Sequence, residues 1–487
     1  MKILTDTQIK EADLYTIKNE PIKSIDLMER ASNVIAEWIC NNYKKQTPLL
    51  FLIGKGNNGG DGLAIARILY YTGYDCSVVL PFEKDILTEE CRKNLERLPA
   101  EINKIELEDV SPDSIVIDAL LGTGGTGVKG DIKEPLISII EKVNSLPNKV
   151  ISIDLPSGMK TEFDNTNQKI IKADTTLTLE FPKLAMLLPE AGEYCGDIKI
   201  LNIGLNKDFI HNSTTPYHYI TDEYIKSIIL KREKFSHKGT YGHALLICGS
   251  KGMTGAAVLA TGAALRSGCG LVTTHIPQEE RLAVQICYPS AMLSLDEAPC
   301  FSTLPANLSK YTSIGIGSGL RQSHETTNVF KQLLNSIYRP IVIDADALNI
   351  LSDNYNLRQH IPVGSILTPH PGELKRLIGE WQSEEEKIGY VRKLASNLQS
   401  VIIVKGAHSM ICSPDGNCYF NSTGNSGMAK GGSGDLLTGY ITGLLARGYD
   451  NINAAILGVY AHGLAGDKAA EKYGVESMNS KDMINFL

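Results

Sequence analysis

The chain has no pair of cysteines spaced to grip a zinc ion. Of its ten cysteines the nearest two are Cys412 and Cys418, too far apart for a zinc knuckle and too scattered for a disulfide framework, so reduced thiols are expected. No stretch is long and apolar enough to cross a bilayer. The opening residues, Met1 to Gln8, lack the apolar core of a signal peptide. A cytoplasmic protein with no membrane partner is the expectation. Nor is there an excess of positive charge. Lys and Arg number 48 against 55 Asp and Glu, a net charge of −7, which gives no support to nucleic-acid binding. Internal repeats and low-complexity tracts are also missing.

What is present is an ordinary globular composition, 43% hydrophobic and 21% charged. At 487 residues the chain exceeds what one core usually serves, so at least two domains are expected. Short apolar runs alternate with helical patterns throughout, which predicts an α/β fold with parallel sheets. In the first half the runs are Leu49–Ile53, Val78–Leu80, Ile115–Ile117 and Val150–Ile153. The alternation lapses between Asn206 and Thr221, read as a linker. Domains of 1–212, Rossmann-like, and 222–487, larger, follow from it. In the second half strands are expected at Ala244–Ile247, Leu271–Thr274, Ser313–Ile316, Ile341–Ile343, Ser365–Leu367 and Val401–Val404, with a hairpin at Met410–Cys412 and Cys418–Phe420.

The polar loops fall after the strands, where open α/β sheets bind ligands. The densest is Asn425-Ser-Gly-Met-Ala-Lys-Gly-Gly-Ser-Gly-Asp435, followed by an apolar helix pattern. Bare backbone in such a loop approaches a ligand closely. The first turn of the next helix offers about half a positive charge to an anion. Asp435 lies in that turn, as a cap or as a base. Lys405 comes off a strand and suits phosphate. His370 is held between two prolines, and Asp344 is either a second carboxylate at the sheet edge or, the favoured reading, the cap of the helix that follows it. In the first half three loops share one sheet edge: Asn57-Asn-Gly-Gly-Asp61, Asp118 with Gly122-Thr-Gly-Gly-Thr-Gly127, and Asp154-Leu-Pro-Ser157. Asn58, Asp118 and Ser157 offer oxygen ligands with a single charge, which suits a weakly held hard cation rather than zinc.

These motifs, with Leu27-Met-Glu-Arg30, His237-Lys-Gly-Thr-Tyr-Gly242 and Thr368-Pro-His-Pro-Gly-Glu373, resemble the bacterial bifunctional NAD(P)H-hydrate repair family over nearly the whole chain. The resemblance implies an epimerase domain followed by an ADP- or ATP-dependent dehydratase domain of ribokinase-like fold. It implies a potassium ion on Asn58, Asp118 and Ser157. The hydrate then lies along Asn57, Asn58, Gly59, Gly60 and Asp61, along Gly122, Thr123, Gly124, Gly125, Thr126, Gly127 and Val128, and against Asp154, the candidate for proton transfer. In the dehydratase it implies hydrate contacts from Ala256, Gly319 and His370, and a nucleotide site of Lys405, Gly406, Ala407, His408, Ser409 and Gly434 that takes ADP or ATP with magnesium. Asp435 is the implied base. The expected partners are these small molecules and, from the large apolar helices, further copies of the chain.

Three departures from the family pattern stand out: Ser318 and Arg321 where Pro and Gly are usual, Gly124-Gly-Thr-Gly-Val128 without the commoner Leu and basic residue, and Ser409 for Thr. A ribokinase-like kinase with an accessory nucleotide-binding domain shares the Gly-Gly-Ser-Gly-Asp site and differs in its product. A regulatory nucleotide-binding protein has no need of Asp435, Lys405 and Asp154.

Overall fold

The computed structural model describes residues 1–123 and 132–487. The expected hydrate contacts at Gly124, Gly125, Thr126, Gly127 and Val128 lie outside the described residues. The chain divides into two compact units, residues 2–217 and residues 218–487 with Met1.

The first unit is a seven-stranded sheet. Its strands are β1 (Leu49–Ile53), β2 (Cys76–Val79), β3 (Asn103–Lys104), β4 (Ile115–Ala119), β5 (Val150–Ile153), β6 (Thr175–Leu179) and β7 (Asp197–Leu201), ordered β3-β2-β1-β4-β5-β6-β7. Every pair is parallel. The order reverses at β1, so the crevice for a ligand opens at the carboxyl ends of β1 and β4. All five residues of β1 are buried, the pattern of a strand covered on both faces. Helix Ser24–Asn42 packs Ile35, Ala36 and Ile39 into the same core as Leu63, Ile65 and Leu69 of helix Asn57–Tyr71.

In the second unit the strands are β8 (Tyr217–Tyr219), β9 (His243–Ile247), β10 (Leu271–Pro277), β11 (Met292–Asp296), β12 (Ser313–Ile316), β13 (Ile341–Ile343), β14 (Ile366–Leu367), β15 (Val401–Val404), β16 (Met410–Cys412) and β17 (Cys418–Phe420). They form one sheet, β11-β10-β9-β12-β13-β14-β15-β16-β17-β8. From β11 to β15 the pairing is parallel, and β15-β16-β17 is antiparallel. This is the α/β arrangement expected of a ribokinase-like domain. The stretch read as a linker is structured: it holds the helix Lys207–Asn212 and the strand β8. All ten cysteines are free. No described helix is long and apolar enough to cross a membrane.

Candidate active sites

Both candidate sites stand on helices whose amino ends have no side-chain cap. In the second unit, helix Ser433–Arg447 starts after Gly432, which has φ +92° and gives no cap hydrogen bond. Ser433 N donates to Lys430 O at 3.4 Å, and the remaining first-turn N–H groups are oriented to receive an anion. A Cβ at Gly434 would lie 3.4 Å from Lys405 Nζ and 3.5 Å from Asp344 Oδ2. Lys405 Nζ is 2.8 Å from Asp344 Oδ1 and 3.7 Å from Glu373 Oε2, and Thr438 Oγ1 donates to Asp344 Oδ2 at 2.8 Å. Asp344 occupies the cap position of helix Ala345–Asp353, yet its side chain makes no cap bond. The reading of Asp344 as a cap is therefore corrected. With a partly buried cation at hand, the carboxylate gains more from an ion pair than from a main-chain N–H.

The electrostatics separate the two aspartates. Burial alone would raise the Asp344 carboxyl, but Lys405 and Thr438 outweigh it and hold the group below its usual range. Burial opposes charge on Lys405 too, and Asp344 with Glu373 more than restores it. Asp435 goes the other way, raised by burial and by Asp344. Ser318 lies close enough to temper that rise. A carboxylate with an elevated proton affinity at an anion site is equipped as a base.

The remaining predicted residues fall around this centre. A Cβ at Gly319 would lie 3.0 Å from Ala256 Cβ, so the two meet. His370 caps the helix Pro371–Ile378: Nδ1 accepts from Gly372 N at 3.0 Å, while His370 N donates to Glu373 Oε2 at 2.8 Å. Its ring is half exposed, with Nε2 3.4 Å from Glu373 Oε1. Pro369, beside it, accepts from Lys405 N at 3.0 Å. Gly406 and Ala407 are exposed. Gly406 N donates to Ser409 Oγ at 3.2 Å, and His408 Nδ1 sits 2.9 Å from Asn421 O.

In the first unit, helix Asn57–Tyr71 also lacks a side-chain cap. A Cβ at Gly59 would come within 2.0 Å of Gly54 O, so only glycine lets this turn close. Asn58 Nδ2 donates to Leu121 O at 2.9 Å and to Ile153 O at 3.4 Å. Asp118 is fully buried and accepts from Ser157 N and Ser152 Oγ, each at 2.8 Å, and from Ser157 Oγ at 2.5 Å. Thr123 donates to Asp154 Oδ2 from N at 3.2 Å and from Oγ1 at 2.8 Å. The three sequence loops are thus tied together.

Residues 244–487 match the family model described as NAD(P)H-hydrate dehydratase, and residues 24–185 match the YjeF-related protein N-terminus. The bifunctional NAD(P)H-hydrate repair enzyme Nnr of Moorella thermoacetica is 33% identical, across 100% of this chain and 96% of that protein. That of Coxiella burnetii is 31% identical, across 99% and 97%. The chain belongs to the bifunctional NAD(P)H-hydrate repair family. Among solved structures, the ADP/ATP-dependent NAD(P)H-hydrate dehydratase of Bacillus subtilis, co-crystallised with ATP and Mg2+, is similar at 32% identity with a TM-score of 0.48, covering 55% of this chain and 95% of that one.

Several site residues of this family member carry no sequence signal. Lys183 is 1% exposed. It is ion-paired with Asp154 and donates to Thr178 Oγ1 at 2.8 Å and Leu179 O at 3.3 Å. Burial would raise the Asp154 carboxyl, and Lys183 with Thr123 reverses that. Asp154 itself has φ +65°, a strained backbone of the kind that collects at functional sites. Nearby, burial together with Asp154 pushes Asp13 up to about 7, and burial raises Asp61 well above its ordinary value. Asp13 comes from the first helix, Asp6–Asn19, remote in sequence from every motif. Lys430, inside the glycine-rich loop, turns away from it: its Nζ donates to Glu476 O and Met478 O, both at 2.6 Å.

Proposed function

We propose that the chain restores hydrated NADH and NADPH, with residues 222–487 dehydrating the S hydrate at the expense of ADP or ATP and residues 1–212 interconverting the R and S forms. The observation that carries this reading is Asp435, raised in proton affinity at an uncapped helix end beside Lys405 and Gly434, in a chain that matches the family over its whole length.

Hydroxide leaves poorly. Asp435 takes the proton of the ring hydroxyl, whose oxygen attacks the terminal phosphoryl group of the nucleotide. The ring nitrogen then expels inorganic phosphate, and loss of a proton from the neighbouring ring carbon restores the double bond. Lys405, the first-turn N–H groups and the backbone at Gly434 hold the phosphate charge, which is most of what phosphoryl transfer asks of a protein. Gly406, Ala407, His408 and Ser409 complete the nucleotide pocket, and Ala256, Gly319 and His370 position the hydrate. Among the described residues no group of three or more His, Cys, Asp or Glu forms a metal cage, so magnesium fits as an ion carried on the nucleotide phosphates. There it neutralises charge.

In the first unit, the neutral oxygens of Asn58 and Ser157 with the single carboxylate of Asp118 fit potassium. Asp61, holding a proton, protonates the departing ring hydroxyl as the ring nitrogen pushes it out. Asp154, kept ionised by Lys183, takes the proton of the water that returns to the other face. Asn57, Gly59, Gly60, Gly122 and Thr123 line the path of the hydrate.

Asp435→Asn is expected to lower dehydration 10²–10⁴-fold, as loss of a general base does, with R/S interconversion unchanged by chromatography. NADH formation at a near-native rate contradicts the base assignment. Inorganic phosphate released in step with NADH separates this chemistry from a kinase, which would accumulate a phosphorylated hydrate.

A further inference from the structure

Arg321 lies two residues beyond Gly319, in the loop that leaves β12. Its φ is +63°, a left-handed backbone that a residue with a Cβ keeps only when its surroundings impose it. Two bonds impose it here. Arg321 N donates to Asp346 Oδ2 at 2.8 Å, and the guanidinium Nη2 donates to Lys251 O at 2.9 Å. Lys251 belongs to the loop between β9 and helix Thr254–Arg266, the helix that carries Ala256. Arg321 thus joins the two loops whose residues Gly319 and Ala256 meet at the dehydration site.

The rest of the guanidinium is uncommitted. A guanidinium has five N–H donors in a planar fork, and among the described residues one is used. The side chain is exposed. Among the described residues it has no carboxylate partner, whereas the neighbouring Lys251 ammonium is paired with Glu279 at 3.3 Å. A Cβ at Gly252 would lie 3.8 Å from Nη2, so the facing loop is bare backbone. An unneutralised fork two residues from Gly319, which the reading above sets against the hydrated dinucleotide, suits an anionic group, and the anionic groups of that substrate are phosphates. The hydrated dinucleotide carries a diphosphate one ribose away from its reactive ring, and the NADPH form adds a 2′-phosphate.

We propose that Arg321 is a phosphate-binding residue of the dehydration site, gripping the hydrated dinucleotide with the N–H groups that Lys251 leaves free. This rests on the dehydratase reading above.

Arg321→Gly tests it, because glycine accepts the same φ. The full chain is assayed with NADH-hydrate and NADPH-hydrate. KM for hydrate should rise about tenfold, the scale of one charge-assisted hydrogen bond, with kcat retained. Added salt should weaken the unaltered protein more than the variant. An equal rise for both hydrates assigns the diphosphate, and a rise confined to NADPH-hydrate assigns the 2′-phosphate. Unchanged KM for both, or a loss confined to kcat, makes Arg321 only a staple between loops and overturns the proposal. Equilibrium binding of intact NADPH to the two proteins gives the same answer without turnover. A chain that binds NADPH through Arg321 but never dehydrates would count against the dehydratase reading alone.

Discussion

Lys405 leaves β15 with the carboxylates of Asp344 and Glu373 within 4 Å of its ammonium, and its charge also reaches Asp435. That cation favours the charged form of both aspartates, most strongly of Asp344. Removing it in Lys405→Met takes away one of the two influences, with Ser318, that oppose burial and the Asp344 charge at Asp435, so Asp435 keeps its proton to higher pH. The base works only when ionised. The acid limb of kcat for dehydration should therefore shift to higher pH, with KM for the nucleotide raised about tenfold from the lost charge-assisted contact. Lys405→Arg should restore the limb. A pH profile of kcat checks this, and a limb that stays in place under a lower plateau contradicts it. At this scale the sequence was readable where a residue's neighbours lie close in the chain. Asp435 and Gly434 stand in one short motif. Asp344 was misread because Asp before Ala-Asp-Ala-Leu has the local form of a helix cap, while its true partner is 61 residues away. Lys183 and Asp13 could not be found, since neither has a chemistry-bearing neighbour in sequence.

At the scale of elements, the phosphate loop is held from below by the end of the chain. Lys430 binds two carbonyls of that segment, and Ser480 Oγ donates to Gly431 O at 2.8 Å. A Cβ at Gly427 would come within 2.5 Å of Val475 O, so loop and tail are in close contact. A lysine in such a loop invites assignment to phosphate, and its geometry assigns it to positioning the loop instead. Lys430→Met and Ser480→Ala should each raise KM for ADP three- to tenfold with kcat largely kept, and the double variant should fall short of additivity because both act on one contact. Steady-state kinetics with the hydrate saturating measures this. An effect of Lys430→Met alone, erased by high salt, would make it a phosphate ligand. Strands such as β1, β5, β12 and β15 were legible because each is a short apolar run between polar loops. β6 and β7 were not: one is rich in threonine, and no residue of the other is buried.

At the scale of the molecule, the same device occurs in both units: a β-strand, a glycine-rich loop and an uncapped helix end. In the proposed function one serves a hydrate to be rearranged, the other a hydrate to be phosphorylated and dehydrated. The architecture followed from strands alternating with helices, and the pairing of activities from the order of the motifs along the chain. The linker was misjudged because a short helix and an edge strand of mixed polar residues lack any period. The central claim is that one chain recovers both hydrate epimers. It is tested by following reduced-nicotinamide absorbance after the protein is added to mixed R and S NADH-hydrate with ADP, magnesium and potassium. Recovery of the full absorbance, faster than the hydrates interconvert unaided, is predicted. Recovery that stops at the S fraction would contradict the role given to the first unit, and no recovery with either ADP or ATP would contradict the account as a whole.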